Sequence, residues 1–560
     1  MSSKYFDNCL FYFVIITIYV SIGGYSTTTN RPNVILLVAD DLGWGDVGYR
    51  SDQILTPNID TLAADGIVLN RYYTSPVCSP SRGALLTGVH PVHSGLQNYV
   101  ILTAAPWGLP LDIKTLPEYL KDYGYNTHAI GKWHLGFFKR EYTPTYRGFD
   151  SHVGYWSGSG DYFDHTALEN SYYWGLDFRH NMDLITNATG VYSTHYFTDR
   201  AVQVIREHNQ SRPLFLYMAY QAVHGANSYA RLQAPQRYID KFSYIKSADR
   251  RVFAAMTYAM DESIGILVDA LKQQHMLTNS VIVFVSDNGG PASGFTGNAA
   301  SNWPLRGVKA TLWEGGIRVP AFIWSPLLNK TGYTSDALIH VTDLMPTVLE
   351  AIGADQHNRY KLTKKYPIYG VSQWSTLSLN QTSGRSAIVH NVDPIWNVSA
   401  IRSGDWKLIQ GLVFGNWSQW YPPFGHQIDT NIGADNNSLI TPLLRQQRRH
   451  RSECAANRVL RQFNRFVDYK VLTENVNIDC GPKPTNASVN CRPDVEHCLF
   501  NITADPCEYN NLAQIYPKVV DQLWHQLVSF NTTAREPGTQ PSDPVCDPAL
   551  HDYAWSCWRH

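Results

Sequence analysis

From Asn33 onward the chain alternates between short apolar runs and stretches with helical spacing. Asn33 to Ala39 reads Asn-Val-Ile-Leu-Leu-Val-Ala, rich in β-formers and unbroken by a polar residue after the first. A run of that kind predicts a strand covered on both faces. Thr115-Leu-Pro-Glu118 is a capping box that opens a helix through Tyr123, stopped at Gly124, and Tyr125 to Ile130 can return as a strand. A helix near Thr194–Glu207 precedes a strand at Pro213–Tyr220, and a helix near Arg251–Gln274 precedes a strand at Val281–Ser286. This order predicts the α/β class, a large, mostly parallel sheet flanked by helices. After about residue 385 the pattern changes. Ser399 to Gln410 reads as a hairpin turning at Ser403-Gly-Asp405, so a smaller C-terminal antiparallel domain is expected. Between about residues 417 and 498 periodicity fades, and the basic run Arg445–Arg451 reads as a solvated loop, a proteolytic nicking site or a glycosaminoglycan contact.

The first residues follow a different rule. Lys4 precedes an apolar stretch from Leu10 to Val20 and then the small residues Ser21, Gly23, Gly24 and Ser26, the layout of a secretory signal peptide over residues 1–26. The stretch is short for a membrane span, and no later segment is long and apolar enough for one, so no stable span is expected. The division that follows is a catalytic α/β domain at 30–385 and a smaller α+β domain at 386–560, the latter carrying a cysteine-rich insertion at about 417–498. With 44% hydrophobic and 17% charged residues in 560, the chain can bury a large core. A formal net charge of −1 gives no sign of a nucleic-acid-binding surface. Seven cysteines from Cys454 to Cys557 crowd the tail, as in a disulfide-stapled region made in an oxidising compartment; seven is odd, which leaves one over. Asn-x-Ser/Thr sequons, among them Asn187, Asn209, Asn329, Asn486 and Asn531, suit the same route to a lysosomal or extracellular destination.

Polar residues follow each predicted strand: Asp40-Asp41 the first, Lys132-Trp-His134 the second, His224 the third and Asp287-Asn288 the fourth. In open α/β sheets ligands bind beyond the carboxyl ends of the strands, so these groups can converge on one cleft. Asp40, Asp41, Asp287 and Asn288 offer oxygen only, which suits calcium or magnesium and suits zinc poorly; capping of turns is the plainer role for either pair alone. Lys132 and His134 are two apart, so an extended backbone would point both the same way. Cys78 stands alone between Cys9 and Cys454. A lone thiol is commonly an inert core residue, but Ser79-Pro80 reads as a helix start and Arg82 lies one turn on, a setting for an anion. A soft thiolate is a poor companion for a hard cation, and conversion to an oxygen-bearing group would remove the mismatch.

Cys78-Ser-Pro-Ser-Arg82 matches the C-x-P-x-R core of the sulfatases, and Ser81 to Gly88 continues that signature. "NVILLVADDLGWGDVGY", "GYNTHAIGKWHLG", "RGFD", "PLFLYMAYQAVH", "VSDNGG", "NWPLRGVKATLWEGGIRVP" and "DWKL" resemble the arylsulfatase B branch, including arylsulfatases I and J, over roughly residues 31–411, and "LFNITADPCEYNNL" resumes the likeness. The resemblance implies the alkaline phosphatase-like sulfatase fold. It implies that a formylglycine-generating enzyme oxidises Cys78 to Cα-formylglycine. It places calcium on Asp40, Asp41, Asp287 and Asn288 with residue 78 completing the shell, Arg82 on the hydrated aldehyde, and Lys132, His134, His224 and Lys309 around the sulfate.

The implied activity is hydrolysis of sulfate esters, with catalytic roles for Cys78, Arg82, His134, His224 and Asp287. The expected substrate is the 4-sulfate of N-acetylgalactosamine in chondroitin or dermatan sulfate; another sulfated glycan or an aryl sulfate is the alternative. Loops near 154–183, 225–247 and 291–301 depart most from the branch and would select the sugar. Two rivals are a phosphate-ester hydrolase of the wider superfamily, which uses Ser or Thr where Cys78 stands, and a secreted sulfoglycan-binding protein with a dead site.

Overall fold

The computed structural model describes residues 31–559 apart from position 52 and segments 295–296, 355–365, 412–414, 424–448 and 475. The expected signal peptide, the sequon at Asn436 and most of the basic run lie outside the described residues. A ten-stranded sheet runs in the order Tyr333–Ser335, Ile67–Leu69, Ala321–Trp324, Ser280–Ser286, Asn33–Ala39, Leu214–Ala219, Asn126–Lys132, Ser151–Tyr155, Arg179–His180 and Asp183–Leu184. Its five central strands, Ser280–Ser286 through Ser151–Tyr155, are parallel; both flanks include antiparallel pairs. The sheet is therefore mostly parallel at its centre, as the alternation of runs predicts.

Strand alternation divides the interior. Ile35, Leu37 and Ala39 face one core and Val34, Leu36 and Val38 the other, all at 1% exposure or less. Helices Pro57–Asp65, Ser193–Glu207 and Ala248–Gln273 cover the first face; Cys78–Thr87, Leu116–Asp122 and Leu344–Ala351 cover the second. The capping box is formed: Glu118 accepts from the Thr115 amide at 2.6 Å, and the helix ends at Asp122. No helix among the described residues is long and apolar enough to cross a membrane.

Strands Ala387–Asp393, Val398–Ser403, Trp406–Gly411 and Cys498–Asn501 form a separate four-stranded antiparallel sheet, its hairpin turning between Ser403 and Trp406. Helix Pro517–Asn531 packs Val520, Leu523 and Leu527 on one face against Val389, Ile401, Leu408 and Leu499. The other face sets Ile388, Ala400, Ile409 and Phe500 against Leu312, Trp313 and Ile317 of the large layer. Helix Ala455–Gln462 buries Val459 and Leu460 in the first large core, and Trp555 and Trp558 close the second.

The cysteines depart from the count. Cys480 pairs with Cys507 and Cys491 with Cys498, but Cys454, Cys546 and Cys557 stay unpaired, so three tail cysteines are left over rather than one. Cys546 and Cys557 pack into the second core, whereas Cys454 packs into the first and its sulfur accepts from the Asn457 amide at 3.4 Å, capping helix Ala455–Gln462.

His390 lies at the junction of the two sheets, 1% exposed, its ring 5.2 Å from that of Tyr73 and neither nitrogen hydrogen-bonded. Glu314, Lys407, Arg402 and His90 surround it. Burial, reinforced by Lys407, holds its imidazole well below the usual histidine range. The folded chain keeps it neutral, whereas the unfolded chain takes up a proton below about pH 6.5. This contribution to stability is present above that pH and is lost as pH falls. His390→Gln should therefore flatten the acid-side dependence of unfolding free energy by about 1.4 kcal/mol per pH unit. Urea titrations from pH 7 to 5 on both proteins measure it, and equal slopes would refute the buried neutral imidazole.

Candidate active site

Parallel register brings the predicted groups together. Ala39 pairs with Ser286 and Val38 with Ala219, while Gly131 is level with Ala219 and Lys132 with Tyr155. Asp40, Asp287, His224 and Lys132 therefore leave the sheet on the same edge, at the carboxyl ends of its strands. Backbone bonds hold the exits in step: the Asp287 amide donates to Ala39 O at 3.0 Å, the Asp40 amide to Ala222 O at 3.0 Å and the Val223 amide to Asp40 O at 2.7 Å. Gly131 has φ +100°, and a Cβ there would come 1.8 Å from Ala219 O, so only glycine lets the two strands approach.

Helix Cys78–Thr87 opens above this edge with Cys78 as its first residue and ends at Gly88, left-handed at φ 68°. Arg82, one turn on, reaches down and donates through Nε and Nη2 to Asp287 Oδ2 at 3.0 and 2.8 Å, and through Nη1 to Lys132 O at 3.3 Å. The guanidinium thus serves as the counter-ion of Asp287. Cys78 Sγ lies 3.8 Å from Asp40 Oδ1. Burial pushes its thiol up to about 12 against the pull of Lys132 and Lys309, so the unmodified side chain stays protonated and is a weak nucleophile at neutral pH.

Lys132 Nζ meets Asp40 Oδ2 at 2.7 Å, and Lys309 Nζ meets Asp41 Oδ1 at 2.8 Å and approaches His224 Nε2 at 3.4 Å. Burial alone would raise both aspartates; Lys132, His224 and Arg82 outweigh it at Asp40, and Lys309 and His224 at Asp41, so both lie below the usual carboxylate range. Three carboxylates thus face three cations, all buried. The pocket is close to neutral, and a dication and an anion can enter it as a compensated pair.

The ligand atoms of Asp40, Asp41, Cys78 and His224 lie within 4.8 Å of one another. Asn288 Nδ2 donates to Asp41 Oδ1 at 2.7 Å, while its Oδ1 is buried and accepts nothing. An unpartnered amide oxygen beside two carboxylates fits a hard, oxygen-seeking cation. Both oxygens of Asp287 are held in place, Oδ2 by Arg82 and Oδ1 by the Asp41 amide at 3.2 Å.

The two histidines carry opposite tautomers. His134 Nε2 lies 3.0 Å from Ile101 O, which can only accept, so the proton is on Nε2; Nδ1 is buried, unpartnered and free to take a proton. His224 Nδ1 donates to Gly225 O at 2.6 Å, leaving Nε2 to accept from Lys309. Burial lowers both, His134 well below the usual range with Lys132 and Arg82 adding to it. The period-two argument for His134 does not hold: φ is +60°, and its amide donates to Trp156 O at 3.1 Å, so a left-handed step after the strand aims the ring.

Asp40, Asp41, Cys78, Arg82, Lys132, His224, Asp287, Asn288 and Lys309 meet in this cluster, and His134 is tied to it through Ile101 and Ser79. Sequence reasoning missed Tyr217, whose hydroxyl accepts from Arg82 Nη1 at 3.5 Å, and Asn298, which donates to Val223 O at 2.7 Å. A tyrosine inside the otherwise apolar run Leu214–Ala219 was the available signal for the first. Ser79 was read only as a helix start; its hydroxyl also accepts from the Ile101 amide at 3.0 Å and fixes the segment that holds His134.

The sulfatase family profile matches residues 32–354. Mouse arylsulfatase J is 37% identical over 550 residues, covering 95% of this chain and 81% of its own. Human N-acetylgalactosamine-6-sulfatase is 33% identical over 348 residues, 59% of this chain and 64% of its own. Among solved structures, Ps i-CgsB superposes with a TM-score of 0.67 at 26% identity, covering 91% of this chain and 94% of that one.

Arg82→Met keeps most of the side-chain volume but leaves Asp287 buried without its counter-ion. Unfolding free energy should fall by about 3–5 kcal/mol, read from urea denaturation of the purified variant; a loss below about 1 kcal/mol would mean that the pair adds nothing net to stability.

Proposed function

The chain belongs to the sulfatase family and is a sulfuric ester hydrolase, and from that premise we propose that it removes 4-sulfate from N-acetylgalactosamine units of chondroitin or dermatan sulfate, using Cys78 as Cα-formylglycine and a bound calcium ion. The observation that supports the hydrolytic chemistry is the meeting of Cys78, Asp40, Asp41, Lys132 and Lys309 at one helix N-terminus, and the 4-sulfate assignment rests on the resemblance of the sequence to the arylsulfatase B branch. Asp40, Asp41, Asp287, Asn288 and residue 78 would hold the calcium, which supplies positive charge against the sulfate oxygens. Oxidised and hydrated, residue 78 offers an oxygen nucleophile to sulfur while the bond from sulfur to the sugar oxygen breaks.

The chain's own groups do the rest. Lys132 and Lys309 stabilise the negative charge that spreads over the sulfate oxygens as the bond breaks. Arg82 holds Asp287 in place, where its carboxylate helps deprotonate the attacking hydroxyl. Lys309, donating to His224 Nε2, makes that pair the proton source for the departing sugar oxygen. His134 Nδ1, with no other partner, takes the proton of the second hydroxyl as sulfate leaves and the aldehyde returns. One water adds back to the aldehyde to restore the hydrate, the proton gained by Asp287 replaces the one given up by the Lys309–His224 pair, and the proton on His134 passes to solvent, so each turnover releases the alcohol, sulfate and one proton. The oxidation belongs to a formylglycine-generating enzyme of the secretory pathway, and the product is a lysosomal or extracellular protein.

Cys78→Ala should abolish sulfate release without changing the melting temperature by more than a few degrees, and the wild-type protein should carry a residue 78 roughly 18 Da lighter than cysteine. A variant that keeps near-full turnover, or an intact thiol in fully active protein, would defeat the nucleophile assignment. Sulfate release from 4-sulfated, 6-sulfated and unsulfated glycosaminoglycan fragments and from an aryl sulfate tests the substrate, with the 4-sulfated fragment expected to be preferred. A preference for the 6-sulfate would move the specificity, and phosphate release from the matching phosphate ester at a comparable rate would move the reaction class.

Removing calcium with a chelator should silence turnover and lower the melting temperature, and returning calcium at 100 times its Kd should restore about 2.7 kcal/mol of stability. Turnover and melting both indifferent to the chelator would exclude the ion.

A further inference from the structure

Resting on the proposed glycan sulfatase reading, we infer that Tyr99 and Trp396 form the wall against which the sugar ring of the substrate packs, so that the small C-terminal sheet supplies part of the specificity. The floor described above is charged and buried: carboxylates, lysines and Arg82 can hold a sulfate and a cation, but they offer no apolar surface to the C–H face of a pyranose. Ligand sites pair a few placed polar groups with aromatic surface that fixes the remainder of the ligand. One aromatic pair is built beside the floor in this way.

The segment that carries it is tied to the floor first. The Ile101 amide donates to Ser79 Oγ, next to Cys78, and Ile101 O accepts from His134 Nε2. Two residues earlier Tyr99 takes a left-handed backbone, φ 52°, a conformation that bulky residues seldom adopt and that clusters at binding sites. Its phenol lies within electrostatic reach of both Lys309 and Cys78. Its ring is 5.3 Å from that of Trp396, tilted by 53°, and both residues are only partly buried.

A single carboxylate fixes the two rings relative to each other. Asp393, at the end of strand Ala387–Asp393, accepts from Asn98 Nδ2 at 2.9 Å through Oδ2. Its Oδ1 accepts from the Ile395 and Trp396 amides at 2.9 and 3.1 Å, closing the turn that presents the indole. Asn391 Nδ2 adds a bond to Gln97 O at 2.9 Å. The residue preceding Tyr99 and the amide of Trp396 thus share Asp393, an arrangement that preorganises the pair before substrate arrives.

The test compares Trp396→Ala and Trp396→Phe with wild type in three measurements: kcat and KM on a sulfated N-acetylgalactosamine disaccharide, the inhibition constant of inorganic sulfate, and the melting temperature. Inorganic sulfate fills the floor and does not reach the wall. The expected result for Trp396→Ala is a KM about tenfold higher with kcat and the sulfate inhibition constant each within twofold of wild type, and recovery of most of the loss in Trp396→Phe. An unchanged KM, or a sulfate inhibition constant that rises in parallel with KM, would overturn the wall. Wild-type turnover on the disaccharide tests the underlying reading separately, and no turnover at all would remove both.

Discussion

Charge compensation in a dry pocket is the constraint on which the rest of this structure depends. Asp40, Asp41 and Asp287 leave the sheet side by side, and three adjacent buried carboxylates would repel one another and lose their hydration. Lys132, Lys309 and Arg82 answer them one for one, at 2.7, 2.8 and 2.8 Å. These cations come from three separate places: the end of a parallel strand, a loop after strand Ser280–Ser286 and the second turn of a helix. Each must be held in position by the fold, because a side chain that drifted would leave a charge uncompensated.

The sheet is built to meet that demand. Alternate residues of its central strands enter two cores, so the strand ends cannot shift without disturbing both layers. Glycine at 131 permits the close approach to Ala219 on one neighbouring strand, and Lys132 follows it, level with Tyr155 on the other. Where regular structure would aim a group wrongly, the backbone leaves it: His134 and Asp41 both sit at positive φ, 60° and 62°. Such strain at a site is sustained by the packing around it. The same economy governs the histidines, whose carbonyl partners fix one as a proton acceptor and the other as the neighbour of a lysine.

The smaller sheet is part of the same construction. Its face against Trp313 and Tyr73 carries a buried polar network in which Lys407 bridges Glu314 and Glu508, both at 2.9 Å. Burial largely sets Glu508, raising it to about 7, while Lys407 and Arg318 overcome burial at Glu314 and hold it at about 2. One lysine therefore serves two carboxylates of unequal charge, which ties the orientation of the small sheet to the large one and brings the turn at Trp396 to the edge of the site.

Much of this was legible from residue types alone. The apolar runs were long enough and rich enough in β-formers to mark the central strands, the capping box marked its helix to within a residue, and the acidic, basic and histidine residues after each strand were recognisable because polar groups at the ends of buried strands need a reason to be there. The resemblance to a known family added the proposal that Cys78 is modified. The sequence by itself therefore determined the layer architecture and the edge of the sheet where the acidic, basic and histidine side chains gather, because local propensity and burial depend on side chains close along the chain. Tertiary structure alone decided that Arg82 answers Asp287, that His134 turns through a left-handed step, that three tail cysteines stay unpaired, and that residues almost three hundred positions apart share Asp393. Those outcomes depend on distances between segments remote in the chain, and a linear pattern carries no such distance.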